Sequence, residues 1–536
     1  MSRKPDNYLG LLLATALLIR LYFIAAFDYI SPDGVQYVRI GYNIWHGFAY
    51  SSGGAMFPDI IQPPFYPFVS GFFSLLFNPL LAGKIASLLA GLLLIVVTYR
   101  FLLRLSGKGV ALAGAALTAF HPGLIAVSAQ AASEAWYLLF VALLVYDGWH
   151  FINEPSRAGA GRLALWFSLG FLTRPEMLVV VLFLLAVFTG LVLFARKKIP
   201  FKYGMGFLLP SLAVVMLYGF SVSTFLGYFT VSPKINFVRI QSKLAAIARA
   251  EDPAFKQLPP KVAAYRSFYR IDPGGRELLS HALLYKKRAA MFWLDEHRLR
   301  NGGGFSAVRM LTGMGLNAKK MIGKVLGGKG LPWIWALLGF TGLYVLFRRQ
   351  KELAVYLFFM MLPLSMYLLV HIEDRFLLGA WPMLALPAAL TTHLVYGKMA
   401  SRFSPAVSMV LVGAVLLAAS TTAYKKMYGD FQGTNRWKQL SREIEETVEP
   451  GTRMMARQPQ TVFFLNLEYR LLPFGSIDKL LVYSQKQKID YLFLDESDLT
   501  LNPELAKFLE PSTERPFVLV KNGSVAGKSY WLFHIK

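Results

Sequence analysis

No cysteine occurs among the 536 residues, so disulfides, thiolate nucleophiles and Cys-ligated metals are excluded. Charge is also scarce, at 16% of residues against 55% hydrophobic. Acid is scarcer than base: 31 Asp and Glu face 56 Lys and Arg, a net charge of +25. No zinc-finger, RNA-binding or helix-turn-helix pattern accompanies this basicity, so nucleic acid is not an expected partner. Solenoid periods and inverted half-repeats are lacking too.

What is present is apolar chain. Mean hydropathy is +0.45, an excess that soluble domains seldom sustain. About ten apolar runs are of the roughly 17–25 residues that cross a bilayer as a helix, and about eleven spans are expected, near 8–27, 80–102, 109–124, 131–151, 162–174, 176–195, 204–227, 331–347, 353–371, 376–396 and 405–423. The expected fold class is a polytopic α-helical membrane protein. The opening MSRKPDN and the span after it read as a retained signal anchor. Arg20 lies inside that span, as either a functional intramembrane charge or a cation snorkelling to the interface.

Loop charge orients the spans. With the N-terminus inside, alternate loops hold Arg3 and Lys4; Arg100, Arg104 and Lys108; Arg157 and Arg162; Arg196, Lys197, Lys198 and Lys202; Arg348, Arg349 and Lys351; Lys398 and Arg402. Short loops of the other parity hold little beyond Arg39, Arg174 and Arg375. The positive-inside rule selects this orientation. It requires that the short, Pro-bounded run 63–79 not cross fully, and it is read as an interfacial helix.

The expected organisation is a transmembrane domain over 1–423 and a soluble outer domain over 424–536. Within the first lie an external loop at 28–79 and a second at 228–330. That second loop carries nineteen Lys and Arg against six Asp and Glu. It reads as a helical segment resting on anionic headgroups, or as one whose cations Lys234 and Arg239 hold a phosphate. From 424 an amphipathic helix at 435–448 precedes short β-type runs, PGTRMMARQPQTVFFLN, KIDYLFLDE, PFVLVKNG and SYWLFHIK, the pattern of a small α/β domain.

The stretch 28–67 combines nine aromatic residues with Asp28, Asp33 and Asp59. Asp33, Tyr37 and Gln62 fall at the outer boundary, as do His121, Glu134, Arg174, Glu176, Glu373, Asp374 and Arg375. Ionised groups are costly in hydrocarbon, so their convergence on one side points to a water-accessible cavity. Taken singly, each also fits ordinary interfacial anchoring. Glu134 after Ser133 and Glu176 after Pro175 suit a helix N-terminus, and Arg375 could simply pair with Glu373 or Asp374. Tyr37, four residues after Asp33, shares its face if the stretch is helical.

In order, SPDGVQY, QPPFYP, HPG with SEAWYLLF, LTRPE and EDRFLLGAWP resemble the bacterial family 39/83-type membrane glycosyltransferases. These belong to the C superfamily, with the protein O-mannosyltransferases and the lipid A aminoarabinose transferase. The resemblance spans most of 8–400, and the tail is similar to the periplasmic domain of many bacterial members. It implies a C-superfamily fold in the bacterial inner membrane, with the site and the tail on the outer side. The implied reaction is inverting transfer of a sugar from a polyprenyl-phosphate donor to a hydroxyl of a lipid, glycan or protein acceptor.

On that resemblance Asp33 is the general base. Glu134 resembles the family's second acidic position and faces substrate, with Tyr37, Gln62, Glu176 and Glu373 as further substrate candidates. Charge developing on the phosphate calls for cations, for which Arg174, Lys234, Arg239 and Arg375 are the candidates. Two positions depart from the family: Gly34 stands where many relatives have Glu, and Gln62 where some have Lys. Asp33, Glu134 and Glu176 are hard oxygen donors that suit magnesium or manganese, but the resemblance implies no divalent ion, and no cofactor is expected. Membrane lipids are expected partners. Two other classes stay open, a transporter of lipid-linked sugar and a non-catalytic membrane scaffold.

Overall fold

The computed structural model describes residues 7–536 apart from 55–57, 195–198, 252–254, 256, 259, 273, 286–291, 293, 298–306, 329, 370–371, 434 and 511–515. The N-terminal cations Arg3 and Lys4 and the cluster at 196–198 therefore lie outside the described residues. Each of the eleven expected spans is mainly helical in its described residues, and the one near 109–124 is broken at His121.

Among the described residues six helices are long and apolar enough to cross a membrane: Asn7–Ala26, Pro79–Ser106, Glu134–Asn153, Phe201–Leu226, Lys351–Leu369 and Asp374–Ala400. Two bent pairs raise the number to as many as eight among the described residues. This is a multi-pass membrane protein. Lys108–Phe120 turns by 60° into Pro122–Ser128, and Pro405–Ala419 turns by 57° into the run from Thr421. The first bend has a local cause. Pro122 lacks an N–H and drives His121 into an extended conformation, φ −64° and ψ 119°, which no helix continues through. The run at 63–79 forms the helix Phe65–Ser74, about 15 Å long at 1.5 Å per residue and too short to cross.

The chain divides into two compact units. The first comprises 1–29, 63–215 and 306–433. Its helices approach closely through small residues. A Cβ on Gly342 would sit 1.8 Å from the Pro387 carbonyl oxygen, so Trp333–Arg349 packs on Trp381–Ala400 only with glycine there. The two bends meet in this unit. The Tyr424 hydroxyl donates to the Phe120 carbonyl, and Trp335 Nε1 donates to Ser420 Oγ at 3.0 Å.

Arg20 does not snorkel; it is fully buried. Its Nε donates to Ser128 Oγ at 2.7 Å, and its Nη1 to the Ala16 and Ala119 carbonyls at 3.1 Å each. Ala119 is one of the carbonyls that the Pro122 break strips of a helical donor, so the cation holds the bend.

The second unit comprises 30–62, 216–305 and 434–536. Its centre is a five-stranded sheet of order β2-β1-β3-β5-β4, formed by β1 Arg453–Ala456, β2 Glu468–Leu471, β3 Tyr491–Asp495, β4 Phe517–Val525 and β5 Lys528–Ile535. β1 pairs in parallel with β2 and β3, while β5 pairs antiparallel with β3 and β4. Separate apolar clusters cover the sheet, one around Trp437, Ile444, Val462 and Phe493, the other around Leu480, Tyr483, Leu492 and Phe533. Two local expectations fail. TVFF belongs to the helix Pro459–Phe464, started by Pro459 at its first turn. The strand Glu468–Leu471 follows it and was not anticipated, because EYRL is short and half charged.

Candidate active site

The expected site residues fall in both units, and each set is described within its own. In the second unit, Asp33 lies in the first turn of the helix Pro32–Gly47. Ser31 caps that helix by accepting from Gly34 N at 3.0 Å, and Pro32 presets the opening dihedral. A carboxylate in a first turn also suits the helix dipole. Asp33 is half-buried and Tyr37 buried, and the helix places them one turn apart, as their spacing requires.

Asp59, the other carboxylate of this loop, is tied up structurally. It accepts from Ser52 Oγ at 2.6 Å and Gln36 Nε2 at 3.1 Å. Gln62 is buried and donates to Gln36 Oε1 at 3.1 Å, while the Tyr50 hydroxyl donates to its carbonyl. Gln62 thus joins the pin that holds Asp59. Lys234 and Arg239 are exposed on the helix Pro233–Glu251, and Arg239 lies 3.6 Å from Asp295.

The tail grips the Asp33 helix. Arg39 Nη2 donates to the Leu467 carbonyl at 2.7 Å, and Arg39 lies over the Phe463 ring at 5.7 Å. Burial lowers its pKa to about 10, against the opposing pull of Glu468, so it stays cationic at neutral pH. Segment 260–280 is stitched in as well: Ile271 N donates to the Phe474 carbonyl at 3.1 Å, and Phe474 N to the Tyr269 carbonyl at 2.7 Å. The Tyr269 hydroxyl is raised by burial first and then by Tyr265 and Asp33, while Arg457 lowers it. Arg39→Met removes a charge-assisted hydrogen bond worth about 1.5–3 kcal/mol. Hydrogen exchange over Pro32–Gly47 is expected to speed up accordingly, and unchanged exchange would show that Arg39 does not hold the helix.

The first unit gathers the other half of the expected residues. Glu134 opens the helix Glu134–Asn153, and its Oε1 accepts from Arg174 Nη1 at 2.8 Å and Arg375 Nη1 at 3.0 Å. Arg174 also reaches Glu176 at 3.3 Å, and Arg375 reaches Glu373 at 2.6 Å. The Glu134 and Arg174 side chains are only 7% and 8% exposed. Glu134, Arg174 and Arg375 border a pocket that Tyr137, Tyr367, Met360 and Phe376 also line. Five residues separated by up to 241 positions therefore converge, as their shared parity suggested.

Asp374 turns away from Arg375 to a pair of lysines, Lys324 at 2.9 Å and Lys426 at 2.6 Å. Gly330 makes this possible, since a Cβ there would lie 1.7 Å from the Asp374 carbonyl oxygen. His121 is fully buried between Trp335 and Trp381, with ring centroids at 5.3 and 5.0 Å. It stands at the helix break instead of in the carboxylate cluster. Lys84 was overlooked in sequence. It is buried and donates to the Phe27 carbonyl at 2.6 Å, just beyond the end of Asn7–Ala26, where carbonyls lack helical donors. A lone lysine in a long apolar run was the available signal.

Residues 61–218 match the family model described as dolichyl-phosphate-mannose-protein mannosyltransferase. No curated protein sequence matches. Among solved structures, ArnT from Cupriavidus metallidurans bound to undecaprenyl phosphate is similar at 14% identity and a TM-score of 0.56, covering 99% of this chain and 98% of that one. The likeness over nearly the whole of both chains shows that this chain shares the fold of that structure. The Archaeoglobus fulgidus oligosaccharyltransferase in its apo form gives 13% identity and a TM-score of 0.55, over 92% of this chain and 70% of that one. AglB from the same organism, in complex with an inhibitory peptide and a dolichol-phosphate, gives 13% identity and 0.54, over 91% and 69%. The fold shared with ArnT takes in the tail as well as the stretch from SPDGVQY to EDRFLLGAWP.

Proposed function

We propose that this protein transfers a sugar, with inversion, from a polyprenyl-phosphate donor to an acceptor hydroxyl on the outer face of the bacterial inner membrane. The observation that carries the reading is Asp33, half-buried in the first turn of a capped helix within this fold. Asp33 takes the proton of the acceptor hydroxyl as its oxygen attacks the anomeric carbon. The bond to the phosphate breaks with its electron pair on the phosphate oxygen, and a polyprenyl phosphate leaves. Phosphate is already a good leaving anion, so one carboxylate suffices where glycoside hydrolysis commonly uses two.

Charge growing on the phosphate calls for fixed cations. Arg174 and Arg375 fill this role best, because Glu134 holds both guanidinium groups in place and a guanidinium grips phosphate oxygens in pairs. Lys234 and Arg239, exposed and with Arg239 shared by Asp295, are assigned to the approach of the lipid phosphate. Tyr37, Gln62, Glu176 and Glu373 are assigned to substrate contact, Gln62 through whatever hydrogen-bonding capacity the Gln36 network leaves it. No step requires a metal.

Purification in native lipid followed by mass spectrometry tests the donor. A co-purified polyprenyl-phosphate sugar is expected. Finding none, together with no transfer from supplied polyprenyl-phosphate sugars, would overturn the assignment. The two bent helix pairs favour one competing reading, a transporter of lipid-linked sugar, since broken helices build transporter sites. Vesicles reconstituted with a fluorescent lipid-linked sugar separate the two, because a transporter moves the lipid across without consuming it.

A further inference from the structure

In the second unit the chain leaves β1 for β2 through the helix Pro459–Phe464, then passes back over β1 to β3 through Ile477–Gln487. Right-handed crossovers put those helices on opposite faces, as the two separate clusters containing Val462 and Leu480 reflect. The carboxyl ends of β1 and β3 therefore border a topological switch point, where open α/β sheets take their ligands.

Polar groups gather there with too few partners. Arg457 directly follows β1 and is 2% exposed. Its Nε donates to Asp498 at 2.6 Å, and Arg436 holds Asp495, the last residue of β3, at 3.1 Å. The Arg457 guanidinium lies over the rings of Phe474 at 4.3 Å and Tyr265 at 5.7 Å. Beside it the Tyr265 hydroxyl is raised by burial and lowered by Arg457. Among the described residues, Arg457 Nη1 and Nη2, Gln460 Oε1 and Thr461 Oγ1 are buried without a hydrogen-bond partner. Buried polar groups are satisfied in all but a few instances, and here three residues within five positions are not.

The unmet set, next to aromatic rings, is one acceptor-only oxygen, one hydroxyl and the outer guanidinium nitrogens of Arg457, which have the Tyr265 hydroxyl beside them. A pyranose matches it, because its hydroxyls both donate and accept while its C–H face packs on a ring. A phosphate would leave the Gln460 oxygen unmet, and an apolar chain would meet none of them. The Asp33 loop adjoins this segment, since Gln460 Nε2 donates at 3.5 Å to the carbonyl of Ile30, three residues before Asp33. We propose that this crevice of the tail binds a pyranose ring of a carbohydrate acceptor, with Gln460 and Thr461 setting its specificity. The inference rests on the transferase reading and names the acceptor class for it.

Full-length protein in lipid nanodiscs is titrated with a panel of methyl pyranosides by saturation-transfer difference NMR. At least one is expected to bind. Its signal should fall about fivefold in Gln460→Met and in Thr461→Val, the effect of losing about one hydrogen bond. Both substitutions preserve side-chain volume, and unchanged thermal unfolding shows that the fold is intact. Asp33→Asn should bind the pyranoside as the unsubstituted protein does. If no pyranoside binds, or if both variants bind normally, internal water satisfies these groups and the proposal fails, even with sugar transfer intact. Pyranoside binding without any sugar transfer by the unsubstituted protein would overturn the transferase reading instead.

Discussion

Replacing Asp33 with Asn is expected to slow sugar transfer about 100- to 10,000-fold, the contribution of a well-placed general base. Asparagine has nearly the same shape, and the helix start rests on Ser31 and Pro32, so folding should be unaffected. The loss belongs in kcat, because an amide still hydrogen-bonds a hydroxyl but cannot take its proton. Single-turnover transfer from a polyprenyl-phosphate sugar reads this directly, with binding of the donor lipid as the control. Transfer within an order of magnitude of normal would remove Asp33 from the mechanism. A lipid-linked-sugar transporter would show no such dependence on a carboxylate at this position.

Glu134→Gln should have the largest effect on stability. Glu134 Oε1 is the shared acceptor of Arg174 and Arg375 in a nearly closed environment. Removing one member of a buried ion pair costs about 3–5 kcal/mol, because the remaining charge stays desolvated. Here Glu176 and Glu373 keep one contact on each Arg, which places the expected loss at the lower end. Thermal unfolding in detergent should show it, and Glu134→Gln combined with Arg174→Met should recover part of it. If Glu134→Gln unfolds like the parent while transfer collapses, the carboxylate serves substrate and not the arginines.

The polar residues differed in how readable they were. The start of the Asp33 helix could be read from Ser-Pro-Asp, a cap, a preset first dihedral and a carboxylate on the dipole, while Gly34 weighs against helix. The inability of 63–79 to cross followed from its length and prolines. Lys84 and Arg20 looked alike in sequence, as lone cations in apolar runs, yet both turn inward to carbonyls at helix ends and breaks. Asp374 and Arg375 looked like natural partners. The structure divides them, Arg375 going to Glu134 and Glu373 and Asp374 going to two lysines from distant helices. EYRL hid its strand because strand propensity is weak over four residues and depends on neighbours.

Composition, hydropathy and loop charge by themselves determined a multi-pass helical membrane protein with a mixed α/β tail. Those properties follow from local chain energetics: the cost of exposing apolar residues to water and of burying charge in lipid. Which carboxylate meets which cation, which buried groups are left without partners, and that residues 30–62 share a compact unit with the tail were decided only by tertiary structure. Such pairings join residues hundreds of positions apart, and their energies depend on distances that no local pattern encodes.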